Sequence, residues 1–378
     1  MIKQITTGLT FTVFISALPA AVAQSPNASD RAKEVAAIKA FWTAERISSA
    51  QPRDLVVDQR GLWYLKGRQG KLTPYGHSTP AQPEPRARGG NGGNGGGKPG
   101  GGSGGGDTGE TGFENVKNAE WLNGGNVQTA AGRILFEMSD GFYVCSGTLV
   151  NDGNLDNDRS IILTAAHCVH EGPGGGFAES AIFIPNQAGT DGSRTDFDCN
   201  NDPLGCWVVD FGVVSNDWVA NAWPNSIPWD YGFYALGNDS DPQYPGSGLR
   251  GSLDNVTTPM DVSFDAADAT VNVYTRALGY SYSDDPNFMY CGEPVTDSSY
   301  QGLLLRNCGL SGGASGGPWS QSTELNLGKG PIISVNSYGP SRGKPYMGGP
   351  RLSGNDAECL FDAAKLAGAG STVSRVGC

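Results

Sequence analysis

The chain has 378 residues, room for two or three domains, and carries 26 Lys+Arg against 38 Asp+Glu, a net charge of −12. The acidity is uneven: residues 1–106 hold 13 Lys+Arg and 6 Asp+Glu, whereas residues 107–378 hold 13 and 32. The acidic part lacks the basic footprint that phosphates require, so no nucleic-acid partner is expected, and beyond the N-terminus nothing approaches the roughly 20 apolar residues of a membrane span.

Residues 1–23 read as a secretory signal: Lys3, an apolar run from Leu9 to Ala20, then Ala21-Val22-Ala23 as a small-residue cleavage site. The mature protein is therefore expected to be secreted, or periplasmic in a Gram-negative host. Export makes the 8 cysteines a disulfide framework. No CxxC pair or His/Cys cluster has zinc-ligand spacing, so neither a metal nor any other cofactor is expected.

Residues 24–88 form a small basic unit. Between Ser29 and Ser49, Val35, Ile38, Phe41 and Trp42 recur at helical spacing on one face, with Ser29 or Asp30 as the N-cap. Leu55-Val56-Val57 and Leu62-Trp63-Tyr64-Leu65 flank Asp58–Gly61 as a hairpin. So small a unit cannot bury a stable core alone. Its apolar face needs a partner and its positive charge fits the acidic remainder, so it reads as a prosegment, an intramolecular inhibitor or chaperone. Residues 89–112 follow as a linker, almost all glycine from Gly89 to Gly106, with Arg86-Ala87-Arg88 as basic cleavage sites before it.

Residues 113–378 are β-rich. Strand-like runs lie at Gly132–Phe136, Tyr143–Val150, Ser160–Ala165, Ala181–Ile184, Trp207–Val214 and Tyr231–Leu236. Further runs lie at Thr270–Leu278, Gly302–Leu305, Ile332–Val335 and Tyr346–Leu352. Many short strands separated by Gly, Pro, Asn and Asp indicate barrels or a sandwich. Asp356–Leu366 reads as a short terminal helix. Asn151–Asp158 and Asp196–Asp202 are rich in oxygen ligands but lack EF-hand spacing, and read as solvated turns.

The chemistry centres on Leu310–Trp319, LSGGASGGPW, which sets Ser315 among glycines. A serine hydroxyl needs a base and an oxyanion stabiliser, and the glycines let the N–H groups of Gly313 and Ser315 converge on one hole. Gly313-Ala314-Ser315-Gly316-Gly317 also fits the nucleophile elbow of α/β-hydrolases, whose histidine follows the serine. Here His77, His167 and His170 all precede Ser315, so the elbow fails and the order His, Asp, Ser stays open.

His167 stands in LTAAHC (Leu163–Cys168), downstream of CSGTLV (Cys145–Val150). With these two segments and the serine loop the chain resembles the secreted trypsin/chymotrypsin-like serine proteases, over roughly residues 130 to 352. The resemblance implies an all-β fold of two antiparallel six-stranded barrels, a short C-terminal helix and, here, a preceding prosegment; residues 113–378 are the protease domain. It implies a serine endopeptidase acting on proteins or peptides, with Ser315 as nucleophile, His167 as base and an acyl-enzyme intermediate. The third member is assigned to Asp230 in PWDYGFYAL, before an apolar strand, with Asp210 and Asp217 as rivals. Family pattern and proximity favour Cys145–Cys168, Cys199–Cys206, Cys291–Cys308 and Cys359–Cys378.

Pro331–Gly339 resembles the family's substrate-pairing strand, with Ser337, Tyr338 and Gly339 as its key triplet. Gly309 stands where trypsins have the pocket aspartate, and Asn336 where glutamate-specific members have a histidine, leaving an uncharged pocket for apolar or aromatic side chains. Ala314 replaces the aspartate that trypsins pair with a new N-terminal ammonium, so activation without that switch is expected. The other readings are a protease-like binding or adhesion module without turnover, and an esterase on the same triad.

Overall fold

The computed structural model describes residues 28–67, 70–76, 113–153, 159–192, 198–237, 252–321, 323–354, 356–366 and 374–377. The signal segment, His77, the linker and Cys378 lie outside the described residues.

The N-terminal segment holds two helices, α1 (Ala28–Phe41) and α2 (Ala44–Ser49), where one was expected. The break falls at Trp42, whose indole N–H donates to the carbonyl of Ser180, and at Thr43, which caps α2. Helix α1 already starts at Ala28, so Ser29 and Asp30 lie inside its first turn rather than at its cap. Four strands follow: β1 (Gln51–Pro52), β2 (Asp54–Val57), β3 (Trp63–Lys66) and β4 (Leu72–Pro74). β2 and β3 form the expected antiparallel hairpin.

After β5 (Val116–Glu120) and α3 (Asn126–Ala130) come β6 (Ala131–Met138), β7 (Gly141–Val150), β8 (Arg159–Thr164), β9 (Glu179–Pro185) and β10 (Trp207–Ser215). Helix α4 (Asn216–Ala220) leads to β11 (Gly232–Gly237). The ladder runs β7-β6-β9-β10-β11-β8 and closes where β8 returns to β7, giving a six-stranded antiparallel barrel. Strand alternation explains why these runs are apolar throughout. Ile134, Phe136, Cys145 and Phe183 point into the barrel core. Leu135, Val144, Ile182, Ile184 and Val208 point outward, onto Val35, Trp42 and Ile47 of the two helices. Burying those three side chains stabilises the docked segment by about 1.5–3 kcal/mol each.

The second half contributes β12 (Tyr274–Gly279), β13 (Met289–Pro294), β14 (Thr296–Asp297), β15 (Leu303–Leu305), β16 (Pro318–Ser320), β17 (Ile332–Val335), β18 (Tyr338–Pro340) and β19 (Met347–Gly349). One sheet orders β17-β16-β12-β13-β5; the other orders β14-β15-β19-β18 and continues into β2, β3 and β4 of the N-terminal segment. Both sheets face one core around Trp319, with Ala277, Cys291, Leu305, Ile333 and Met347. Helix α5 (Ala357–Leu366) sets Phe361 against Phe233 of the first barrel, and β20 (Ser374–Val376) joins β10.

Three disulfides form as expected, Cys145–Cys168, Cys199–Cys206 and Cys291–Cys308. Cys359 is also disulfide-bonded; its expected partner, Cys378, lies outside the described residues. The expected strand at Thr270 begins only at Tyr274, and the polar β5, VKNAE, carried no apolar pattern that could have announced it. Among the described residues no helix is long and apolar enough to cross a membrane.

Candidate active site

Register brings the first two site residues together. Gly232 of β11 pairs with Thr164 of β8, so the turn after β8 and the turn before β11 meet at one end of the barrel. The first turn, Ala166–Cys168, carries His167; the second ends at Asp230. His167 Nδ1 lies 2.8 Å from Asp230 Oδ2 and 3.1 Å from Oδ1, and its backbone N–H donates to Oδ1 at 2.9 Å. Ser337 Oγ donates to Oδ2 at 2.5 Å. All three residues are buried. An ionised carboxylate only accepts, so this arrangement keeps the ring proton on Nδ1 and the lone pair on Nε2. That Nε2 is buried and has no hydrogen-bond partner among the described residues. The rival carboxylates sit elsewhere: Asp210 lies beside Arg159 and Gly237, and Asp217 is on α4. His170 is a packing residue, its Nδ1 accepting from Gly172 and its ring edge-on to Phe177.

The serine loop is pinned against the same turn. The Ser315 carbonyl accepts from the Ser146 N–H at 2.7 Å and lies 4.0 Å from Cys168 Sγ, the residue after His167. Gly313 and Gly316 have φ of +92° and +82°, a left-handed region that glycine enters without strain. The Gly312 carbonyl accepts from the Tyr282 N–H at 2.6 Å, which turns the N–H of Gly313 in the opposite direction, into the cleft. The Gly313 carbonyl accepts from Ser146 Oγ at 2.9 Å.

Ala314 has no charge, yet a buried ion pair lies behind the loop. Arg133 pairs with Asp285, both buried, while its guanidinium reaches the carbonyls of Tyr280 and Gly313. Arg133 and Asp285 escaped the sequence reading because nothing in their neighbourhood marks them; the missing charge at Ala314 was the only hint. Asn336 is likewise committed to the loop, donating to the carbonyls of Leu278 and Ala314 and accepting from the Trp319 indole.

The cleft beside Ser315 is lined by Gly309, Leu310, Ser337, Tyr338, Gly339 and Met347, among others. Gly309 is held in this lining by its N–H, which donates to the Lys117 carbonyl at 2.6 Å. The N-terminal segment forms one wall of this cleft, with Asp54, Leu55, Val56 and Lys66 in its lining. β2 pairs in parallel with β18, Leu55 opposite Tyr338, Val56 opposite Gly339 and Val57 opposite Pro340. Asp54 Oδ1 accepts from the Gly313 N–H at 3.2 Å, and Arg53 Nε donates to the His167 carbonyl at 2.7 Å. Burial pushes the Asp54 carboxyl up to about 6, against the opposing pull of Lys66, the Gly313 N–H and His167. Trp63 packs 5.2 Å from the Tyr338 ring and 5.0 Å from that of Trp223. The sequence had placed this segment near the domain, but not Arg53, Asp54 and Trp63 in the site itself.

The one group of potential metal-binding side chains among the described residues is Cys145, His167 and Cys168, and its two sulfurs are bonded to each other.

A family model for the C-terminal domain of lysyl endopeptidase matches residues 114–201, a stretch that includes His167. No curated protein matches the chain. Among solved structures, the protease Anisep from Arthrobacter nicotinovorans is similar at 26% identity, covering 62% of this chain and 95% of its own, with TM-score 0.49. The thermostable serine protease AL20 from an extremophilic microorganism is similar at 24% identity, covering 63% and 98%, with TM-score 0.50. A Glu endopeptidase is similar at 13% identity, covering 66% and 97%, with TM-score 0.46. The likeness to AL20 gives the fold, that of the chymotrypsin-like proteases.

Proposed function

We propose that the chain is a trypsin/chymotrypsin-like serine protease that cleaves peptide bonds through a triad of His167, Asp230 and Ser315 and an acyl-enzyme, a reading supported by the partial family match and the shared fold. The observation that carries this reading is the buried Asp230 carboxylate, bonded to both the ring and the backbone of His167. Ser315 Oγ attacks the scissile carbonyl while His167 Nε2 takes its proton. The tetrahedral oxyanion is met by the N–H groups of Gly313 and Ser315. His167 then protonates the leaving amine, and water, activated by the same nitrogen, releases the acyl group. Asp230 holds the imidazole in the required tautomer and stabilises the imidazolium.

Ser337, Tyr338 and Gly339 are assigned to binding the acyl side of the substrate by strand addition, with Gly309 at the pocket floor. The family match to a lysyl endopeptidase does not extend to this pocket, since it ends at residue 201. The one carboxylate lining the pocket among the described residues is Asp54, from the N-terminal segment itself. A P1 pocket without a carboxylate is therefore proposed for the mature enzyme, with Arg342 the one charged residue that the domain itself contributes to the lining among the described residues. Residues 24–88 are assigned as a prosegment: the apolar face of its helices covers the barrel, and β2 of its hairpin adds to β18 along the cleft. Four oxidised cysteine sites support export to an oxidising compartment.

The test is labelling of Ser315 by a fluorophosphonate together with hydrolysis of a peptide library. Ser315→Ala and His167→Ala should each abolish both, with the fold retained by circular dichroism. Turnover that survives Ser315→Ala would remove this mechanism.

A further inference from the structure

We propose that the cleft binds extended peptides in reverse polarity, with an aspartate side chain in the oxyanion hole, and that residues 53–57 of this chain are such a ligand, held there uncut. The proposal rests on the assignment of Ser315 and Gly313 above and adds how that site is blocked and by what chemistry.

Strand direction carries the argument. β18 starts at the site, where Ser337 Oγ touches Asp230, and runs away from it through Pro340. The acyl half of a substrate on this edge has its highest-numbered residue at Ser315, so it runs toward the site, antiparallel to β18. β2 does the opposite. Asp54 is at the site, and Leu55, Val56 and Val57 follow outward in parallel register with Tyr338, Gly339 and Pro340. No main-chain carbonyl therefore needs to enter the hole at all. A side-chain carboxylate meets the hole's Gly313 donor instead, with Asp54 Oδ1 3.2 Å from the Gly313 nitrogen.

Three further contacts fix this pose. Arg53 donates to the His167 carbonyl, and its guanidinium sits 5.0 Å from the centre of the Tyr143 ring. Residues 51 and 52 add in parallel to β7 at Tyr143 and Val144, so the segment is anchored on both sides of the site. A Cβ on Gly312 would overlap Asp54 Oδ2, so the loop has space for this carboxylate only because residue 312 lacks a side chain. The ligand class is thus an extended peptide of the type basic-acidic-apolar-apolar, read from site to edge. A carboxyl suits the hole because its acceptor oxygen, protonated or not at the other oxygen, asks for the same N–H donor as an oxyanion.

The experiment uses the full chain at neutral pH and measures the rate of fluorophosphonate labelling at Ser315, with mass analysis of bonds 51–57. Wild type should label slowly and keep those bonds intact. Asp54→Ala should label about tenfold faster or more, which is 1.4 kcal/mol or more of lost anchoring. Asp54→Asn, whose amide oxygen can still accept from Gly313 and which carries no charge to desolvate, should label no faster than wild type. Equal rates for wild type and Asp54→Ala, with Ser315→Ala unlabelled, overturn the reversed anchor and leave the triad standing. Cleavage within residues 51–57 by wild type but not by Ser315→Ala overturns it too, since only a productive polarity is cut. If no chain labels, even after the linker is cut at Arg88, the nucleophile assignment falls and takes the proposal with it.

Discussion

Replacing Arg133 by Met should damage catalysis more than it damages ground-state binding, although Arg133 lies behind the serine loop and outside the cleft. The side chain is buried, paired with a buried Asp285, and bonded to the carbonyls of Tyr280 and Gly313. Removing one partner of a buried pair leaves an uncompensated charge and costs about 3–5 kcal/mol. Exchanging both partners for apolar residues of similar volume is often neutral. Arg133→Met and Asp285→Leu alone should therefore each lower stability by about 3–5 kcal/mol, and the double variant by clearly less than their sum. Stability would be followed by urea unfolding and catalysis by peptide hydrolysis. If the pair merely stabilises the fold, the double variant regains both stability and kcat. If it also orders Gly313, the double variant regains stability while kcat stays low and KM changes little, because the Gly313 peptide has lost its guanidinium partner. Single variants as stable as wild type would refute the reasoning, since they would mean the pair is not desolvated. Arg133→Lys, which keeps charge but not the planar fork, should fall between.

Asp230→Asn should lower turnover by about 10⁴, as for a triad whose histidine loses its tautomer, while Asp210→Asn should leave turnover near wild type; steady-state hydrolysis checks both. The N-terminal segment should hold the cleft most tightly in acid. The Asp54 carboxyl is raised from 3.8 to about 6 when docked, so the bound form favours the proton; its hold is fullest below pH 4, weakens as pH rises through 4–6 and is level above. The labelling rate of wild type relative to Asp54→Asn should climb over that window by up to about a hundredfold. A flat ratio contradicts the shift. Trp63→Ala should raise the labelling rate of the full chain by one to two orders of magnitude, because truncating a buried tryptophan costs roughly 3–5 kcal/mol, only part of which reaches the cleft. Peptide profiling of the mature enzyme should find no dominant Lys or Arg at P1; a strong basic preference would require an acidic residue reaching the pocket from outside its lining.

Residue types and their order along the chain were enough to identify His167 and Ser315 as site candidates. A histidine between a β-run and a cysteine, and a serine among glycines downstream of it, leave few architectures in which the two can meet. The cysteine pairs were legible from the family pattern that the resemblance supplied together with proximity along the chain, and three of the four are borne out. The apolar face of Val35, Phe41 and Trp42 was legible from its spacing, and Leu135, Val144, Ile182 and Ile184 are what it covers. Continuous apolar runs such as Ala181–Ile184 record that covering in the barrel strands themselves, since a strand wet on one side alternates.

What the sequence could not carry is what depends on direction and on distant partners. Parallel pairing of β2 with β18 joins residues 55 and 338, and no local pattern encodes polarity across such a separation. Nothing in the sequence singles out Asp54; only the fold turns the Gly313 N–H toward it. Arg133 is one charged residue in an apolar strand, and its meaning appears when Asp285 and the Gly313 carbonyl close around it. Residue type fixes which chemistry a side chain can perform, whereas burial and the orientation of backbone dipoles decide which of several candidates performs it, and those two quantities exist only once the chain has packed.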